Sequence, residues 1–548
     1  MTADELQAGL TALQTGAWEE ARDRFQSSVA GGESAEALEH LGLAAWWLDD
    51  APLTFDARER SYRLYRERGD VRGAARIALW LVWDYLAFRG DTAIANGWLE
   101  RARRLLTGHE ESAEYGWLLI REGEVTLFRG HDPAGARESA VRAARLGRLL
   151  GDRGIEFTGL ALEGLALVNA GDVVGGMRCL DEASAAAMSG EVKEMYTVGV
   201  VCCWQIFACE RVRDYDRAAQ WCERVQEFSK RWRVRQLSAL CRTQYAGVLI
   251  WRGKWAEAEA ELLHASRELE QVRPALAVQA LARLGELRLR QGRLEEAARL
   301  FEQSISHPLG RLGHAALLLE SGNTEEAAAD LNRFLSQVQA EPTIRAGALE
   351  LAVRIHVARG DLPAAGRALE ELQQIAARLE TAPLAASAAA AEGVLRRQSG
   401  EQTAAADCFG QAAELYEKSG APFETARAKL DLSGALAAAG RKDAAERAAR
   451  QARELFHGLG ARHEEARAGA SLGRPAAGRH LGDGKAALTV RQVQILRLVA
   501  QGLSNPSIAI LLGLSDHTVK RHLANVLTKL GLPSRAAAVA WGAREGLL

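Results

Sequence analysis

The chain has 548 residues, with 69 Lys and Arg against 71 Asp and Glu, a formal net charge of −2. That length is too great for one compact core, so several domains or a repeat array are required. A hydrophobic share of 48%, a charged share of 26% and only 11 prolines exclude low-complexity and loop-dominated chains, and the Ala, Leu, Glu and Arg usage favours helix over strand.

The start, Met1-Thr-Ala-Asp-Glu-Leu6, has no basic segment leading into an apolar one, so no secretory signal is expected. The longest strongly apolar uncharged run, Met195 to Cys209, has 15 residues, short of the roughly 20 a bilayer span needs. No membrane partner is expected. Cys202, Cys203, Cys209, Cys222 and Cys241 cluster, with Cys179 just upstream, but no CxxC spacing and no finger-spaced His accompany them. Buried free thiols in a reducing cytoplasm are expected, with a redox switch as the alternative, and no metal site or cofactor.

A short pattern recurs along most of the chain: Gly, any residue, a bulky residue, two more, a small residue, three more, then an apolar one. Its first copy is Gly16-Ala-Trp18-Glu-Glu-Ala21-Arg-Asp-Arg-Phe25, and close copies are Gly253-Lys-Trp255-Ala-Glu-Ala258 and Gly292-Arg-Leu294-Glu-Glu-Ala297-Ala-Arg-Leu-Phe301. Others start at Gly90, Gly130, Gly171, Gly322, Gly360, Gly400 and Gly440. The Gly130 copy is slipped by one residue, Arg213 stands in the glycine place before Tyr215 and Ala218, and a weaker match surrounds Asp50. From Gly90 to Gly440 the steps are 40, 41, 42, 40, 39, 30, 38, 40 and 40 residues.

This pattern encodes a helix–turn–helix pair. Glycine ends the first helix in the left-handed conformation that carries no Cβ penalty. The bulky residue packs under the turn, the small one lets the helices approach, and the last apolar residue lies on the same helix face four positions on. One pair cannot bury its apolar face alone, so neighbours must stack. The residues Trp18, Ala21, Phe25 and Trp255, Ala258 resemble the second helix of a tetratricopeptide repeat, with a period longer than the family's. The resemblance implies eleven or twelve helix pairs over residues 1–465, wound into a right-handed superhelix with a concave inner surface.

Of 13 tryptophans, 12 lie between Trp18 and Trp255. Trp80, Trp83, Trp98, Trp117, Trp204 and Trp232 either line a ligand cavity or fill the inter-helix core.

Residues 466–484 carry the change of character, with five glycines and a proline between Gly469 and Gly484, and read as a flexible linker. Residues 485–548 then hold eight basic residues against two acids, a net of +6 that leaves −8 for the remainder. A basic module on an acidic body points to an anionic partner.

The basic segment parses into four helices. Thr489 with Gln492 forms a capping box for the first, whose Val493, Ile495, Leu496, Leu498, Val499 and Ala500 give a broad apolar face. Asn505 caps a short second helix, with Pro506 at its first position and Ile508, Ala509, Leu511 and Leu512 inward. Ser515 caps the third, Asp516 to Leu530, with Val519, Leu523, Val526, Leu527 and Leu530 as its buried stripe. Thr518, Lys520, Arg521, His522, Asn525 and Lys529 face mainly outward. A short helix, a glycine turn and a helix with a basic outer face make a DNA-reading helix-turn-helix. Lys520 and Arg521 suit guanine O6 and N7, while His522, Asn525, Lys529 and the helix N-termini suit phosphates.

The motifs Leu488-Thr489-x-Arg491, Gly502-Leu-Ser504-Asn505-x-x-Ile508-Ala509, Leu514-Ser515-x-x-Thr518-Val519-Lys520-x-His522, Asn525-x-x-x-Lys529-Leu530-Gly531 and Ser534-Arg535 resemble the LuxR-type helix-turn-helix domain over about 60 residues. The resemblance implies DNA contact by Ser504, Asn505, Ser515, Thr518, Val519, Lys520, Arg521, His522, Asn525 and Lys529. It also implies dimerisation through a fourth helix, about Ser534 to Glu545, at Ala538, Val539 and Trp541. Gln492 replaces the family's usual Glu and Pro506-Ser507 its usual charged pair, changes that alter fine contacts of the scaffold without loss of binding; Ala524 stands where some members carry a base-contacting Lys, so target choice rests more on Lys520 and Arg521.

Large regulators of this kind often carry an ATPase, yet Gly130-His-Asp-Pro-Ala-Gly135 is followed by Ala136-Arg137 where a phosphate loop needs Lys and Ser/Thr. No nucleophile elbow, HExxH or carboxylate constellation is present, so no catalysis is expected. The expectation is an all-α protein: a tetratricopeptide-like solenoid followed by a small four-helix domain. Functionally it is a cytoplasmic transcription regulator that binds promoter DNA as a homodimer. Its array senses a small ligand or a protein, with RNA polymerase as a further candidate partner. The alternative is an interaction adaptor whose basic domain is secondary.

Overall fold

Strong helix formers broken by glycine every 40 or so residues build paired helices. A computed structural model describes residues 2–232, 235–472, 490–512, 516–530, 532 and 534–544, and among them there are 29 α-helices and no strand. The array runs α1 Thr2–Gln14, α2 Trp18–Ala30, α3 Ala35–Trp47, α4 Ala51–Glu67, α5 Val71–Asp84 (prolonged by a π-turn, Tyr85–Arg89), α6 Thr92–Leu105, α7 Ala113–Phe128 and α8 Pro133–Leu150. It continues with α9 Arg153–Ala170, α10 Val173–Ser189, α11 Met195–Arg211, α12 Tyr215–Trp232, α13 Arg235–Trp251, α14 Trp255–Val272, α15 Pro274–Arg290, α16 Leu294–Gln303 and α17 Pro308–Glu320. The last helices of the array are α18 Thr324–Gln337, α19 Pro342–Arg359, α20 Leu362–Leu379, α21 Ala382–Gln398, α22 Gln402–Lys418, α23 Pro422–Ala438, α24 Lys442–Leu459 and α25 Arg462–Leu472. A large compact unit carries almost all of the array, and a small one carries the C-terminal helices.

The turn chemistry explains the repeat. Gly16, Gly253 and Gly440, like most of the motif glycines, sit at positive φ, where a Cβ is penalised. At the slipped copy His131 takes that conformation instead of Gly130, at φ 52, while Arg213 holds φ 60 in its glycine place and Asp49 does so at φ 60 in the weak copy. The motif's small and apolar positions form the core: Ala21, Phe25, Ala258, Ala297 and Phe301 are all fully buried.

Consecutive helices pack from α1 through α16 and again from α19 through α25. The first helices of successive pairs also touch each other, from α5 through α7, α9, α11 and α13 to α15, and from α19 through α21 and α23 to α25. This makes the first helices the crowded layer, and nearly all buried charges lie on them or on turns leading into them: Asp84, Arg121, Glu124, Arg288 and Glu424 are buried. Burial demands a partner. Arg58 on α4 pairs with Asp84 at 1% and 0% exposure, and Arg121 with Glu124 at 2.5 Å.

The array also closes on itself at long range. Arg273 donates to Asp49 at 2.8 Å and to the Trp46 carbonyl at 3.1 Å, across 224 and 227 residues. Buried Glu341 accepts from Asn169 at 3.0 Å and meets His131 at 2.7 Å, Arg378 donates to the Ala170 carbonyl, and the Trp251 indole donates to the Ser419 carbonyl across 168 residues. Turns of the coil separated by about four or five pairs are therefore in direct contact.

Helix α25 reaches Leu472, so the first residues of the expected 466–484 linker are helical; the alanine-rich stretch continues the stacking of the array. Residues 473–489 lie outside the described residues. No helix among the described residues is long and apolar enough to cross a membrane.

Candidate nucleic-acid interface

Four helices make the C-terminal unit: α26 Val490–Ala500, α27 Asn505–Leu512, α28 Asp516–Leu530 and α29 Arg535–Arg544. Their core is aliphatic, with Ile495, Leu496, Val499, Ile508, Ala509, Val519, Leu523, Val526 and Ala538 all buried. Gly502, at φ 86, turns the chain after α26. Ser504, not Asn505, is the cap of α27: its hydroxyl accepts from the Ser507 N–H at 3.3 Å and its carbonyl from the Ile508 N–H at 2.9 Å. The helix therefore begins at Asn505, one residue earlier than expected, because the backbone places the Ser504 hydroxyl and carbonyl at the first-turn donors.

Two arginines of the sequence motif act as braces. Arg491 donates to the Leu512 carbonyl at 2.9 Å and to Gln494 at 2.7 Å, and Arg535 donates to the Leu503 carbonyl at 2.9 Å. Each meets a carbonyl left open at a helix end or turn, a use of positive charge that composition counts only as part of a basic surface. Ser534 caps α29 through the Ala537 N–H at 3.2 Å.

Helix α28 is amphipathic. Val519 and Val526 are fully buried and Leu523 nearly so, while Lys520, Arg521, Ala524 and Asn525 are exposed and Thr518 and His522 half-buried. Burial, with Arg521 and Arg491 nearby, holds the His522 imidazole below its ordinary range. Three expectations change here. Val519 cannot reach a base because its side chain is core. Ala538 cannot meet a second copy because it packs with Leu496 and Val526. Leu511, expected inward, is 62% exposed, because the eight-residue α27 turns only its Ile508 and Ala509 side into the core. Val539 leans on the same core, Trp541 is half-buried, and Ala500 is exposed. Thr489 and Ser515, and the Lys529 side chain, lie outside the described residues.

Residues 486–541 match the family of bacterial regulatory proteins, luxR family. The C-terminal unit is a LuxR-type helix-turn-helix domain. Over this domain the chain is 48% identical across 56 residues to the nitrate/nitrite response regulator protein NarP of Escherichia coli, covering 10% of this chain and 26% of that one. It is 41% identical across 61 residues to the transcriptional regulatory protein YdfI of Bacillus subtilis, 11% of this chain and 29% of that one. The chain thus spans less than a third of these relatives, and the likeness is confined to the LuxR-type domain. A crystal structure of the APC/C hetero-tetramer Cut9–Hcn1 contains a chain similar over 85% of this one and 95% of its own length, with 14% identity and a TM-score of 0.44.

In the array the predicted ligand tryptophans have their faces covered. The Arg58 guanidinium lies 4.5 Å from the Trp80 ring, Arg121 5.3 Å from Trp83, and Arg101 4.9 Å from Trp98. Tyr196 packs 5.1 Å from Trp80 and 6.2 Å from Trp117, and Trp204 is 5% exposed. Trp80, Trp83 and Trp98 thus each carry a cation against the ring, and Trp204 packs in the core around Val201 and Cys202. The Trp232 side chain lies outside the described residues. Burial pushes the Cys202 and Cys209 thiols up to about 12, which disfavours the thiolate at these two positions.

Proposed function

We propose that this protein is a sequence-specific DNA-binding transcription regulator whose repeat array receives the input. The observation that carries this reading is the amphipathic α28 within the LuxR-type domain, with Lys520 and Arg521 exposed on the face opposite buried Val519, Leu523 and Val526. Helix α28 enters the major groove. Lys520 and Arg521 donate to guanine edges, and Thr518, His522, Asn525 and Lys529, with Ser504, Asn505 and Ser515 at the helix starts, hold the backbone. The partner is double-stranded promoter DNA, bound by a homodimer that uses the Trp541 side of α29 with Val539 at its edge.

A gel-shift series against the chain's own upstream region tests it. Affinity falls steeply with salt because several phosphates are neutralised. Lys520→Ala and Arg521→Ala each weaken binding and loosen sequence preference. Wild-type affinity in the double variant would remove α28 from the groove. The array's input is a small effector or a protein, and RNA polymerase is the further partner that activation requires.

A further inference from the structure

The array holds one cavity whose chemistry the tryptophan expectation did not foresee. It has a volume of about 610 Å³, within the range of small-molecule sites. Its walls come from two distant parts of the coil: the start of α10 and the α11–α12 turn on one side, the α20–α21 turn and the end of α22 on the other.

The charges do not cancel across it. Three acids line the cavity, and each is engaged: Asp181 and Asp214 share Arg217 at 3.6 and 3.8 Å, Asp214 also caps the Arg217 N–H at 3.2 Å, and Asp216 pairs with Arg252. Two lining cations, Arg178 on α10 and Lys418 on α22, are exposed and have no ion pair among the described residues. Thr381 stands at the N-cap of α21 in extended backbone, φ −93 and ψ 139, yet its hydroxyl makes no cap bond and has no partner. The first-turn N–H groups of α21 therefore keep their positive end uncapped by a side chain at the same wall. Apolar surface completes it: Met177 and Pro383 are buried in the wall, and Val174 is 83% exposed.

We propose that this cavity binds a small amphipathic organic anion, its acidic group held by Arg178, Lys418 and the α21 start and its apolar body lying along Val174, Met177 and Pro383. Such a ligand bridges two turns of the coil, so its binding is coupled to how tightly they close. This inference rests on the regulator reading above for its role as effector, though not for its chemistry.

The test uses the full chain and 8-anilinonaphthalene-1-sulfonate, an anion with an aromatic body, against its neutral counterpart N-phenyl-1-naphthylamine. Expected is saturable one-to-one sulfonate binding, at least tenfold tighter than the neutral probe. Arg178→Glu with Lys418→Glu should weaken it at least tenfold without changing the far-ultraviolet circular dichroism, and Lys418→Arg should retain it. Both sites are exposed, so the variants keep the fold. Equal binding of the two probes, or unchanged sulfonate binding in the double reversal, overturns the proposal. A gel shift on the same preparations separates the two readings: DNA binding without the cavity response leaves the regulator standing alone, and the reverse leaves an anion site without a DNA-linked role.

Discussion

The array and the C-terminal domain use the same residue types in opposite ways. In the array some arginines are interior residues: Arg58, Arg273 and Arg288 are 1%, 2% and 5% exposed, each facing a carboxylate. In the C-terminal domain the described core is aliphatic apart from buried Gln492 and holds no charge, and arginine and lysine either brace carbonyls, as Arg491 and Arg535 do, or stand exposed, as Lys520 and Arg521 do. The contrast follows from size. A 12-pair coil has enough interior to bury ions with partners, whereas a four-helix domain of some 60 residues cannot offset their desolvation.

The largest effect should come from breaking a buried pair in the array. Arg58→Ala strands Asp84, whose carboxyl burial already pushes up, and should cost about 3–5 kcal/mol in urea unfolding of the array. A cost below about 1 kcal/mol would mean that the pair contributes nothing and that the comparison is wrong.

Acid should act next. Burial, with Arg283, Arg211 and Arg129 nearby, pushes His307 down to about 4, and its Nδ1 accepts from the Leu309 N–H at 3.2 Å. A folded value below the unfolded 6.5 means that the unfolded chain binds the proton first. Stability is therefore full above pH 6.5 and is lost as pH falls toward 4, by at most about 3 kcal/mol. His356, lowered chiefly by burial, adds to the same window. His307→Asn should flatten the slope between pH 6.5 and 4.5; an unchanged slope would place the proton uptake elsewhere.

In the C-terminal domain, Lys520→Ala and Arg521→Ala should each cost about 1–3 kcal/mol of DNA affinity and leave the array's unfolding midpoint unmoved. A shared loss of stability would show that these side chains are structural like Arg58. The smallest effect belongs to the cap: Ser504→Ala should cost about 1 kcal/mol, read as a lower melting midpoint of the domain, and Asn505→Ala should cost less. The reverse order would return the cap to Asn505.

Much of this was legible in residues. The glycine steps located the turns, and even the irregular copies at Gly130, Arg213 and Asp50 resolve as a left-handed residue at or beside the expected place. Helix α28 spans Asp516–Leu530 as its apolar stripe required. Other features were not legible. Ser504 and Asn505 are both good caps, and only backbone geometry separates them. Lys520 and Arg491 are both cations in a basic segment, and only packing tells a brace from an exposed group. The tryptophans suit a cavity as well as a core until Arg58, Arg121 and Tyr196 cover their faces.

The sequence by itself determined the helices, their pairing, the stacked array and the helix-turn-helix, because each rests on contacts within a few turns of chain, where periodicity and φ preferences act directly. The tertiary structure alone decided which residues meet across 168 to 227 positions, from Trp251 and Ser419 to Arg273 and Trp46. Those meetings depend on the rotation between neighbouring pairs summed over four or five of them. A small angular difference per pair, invisible in any one motif, sets which turns touch and so where the 610 Å³ cavity opens.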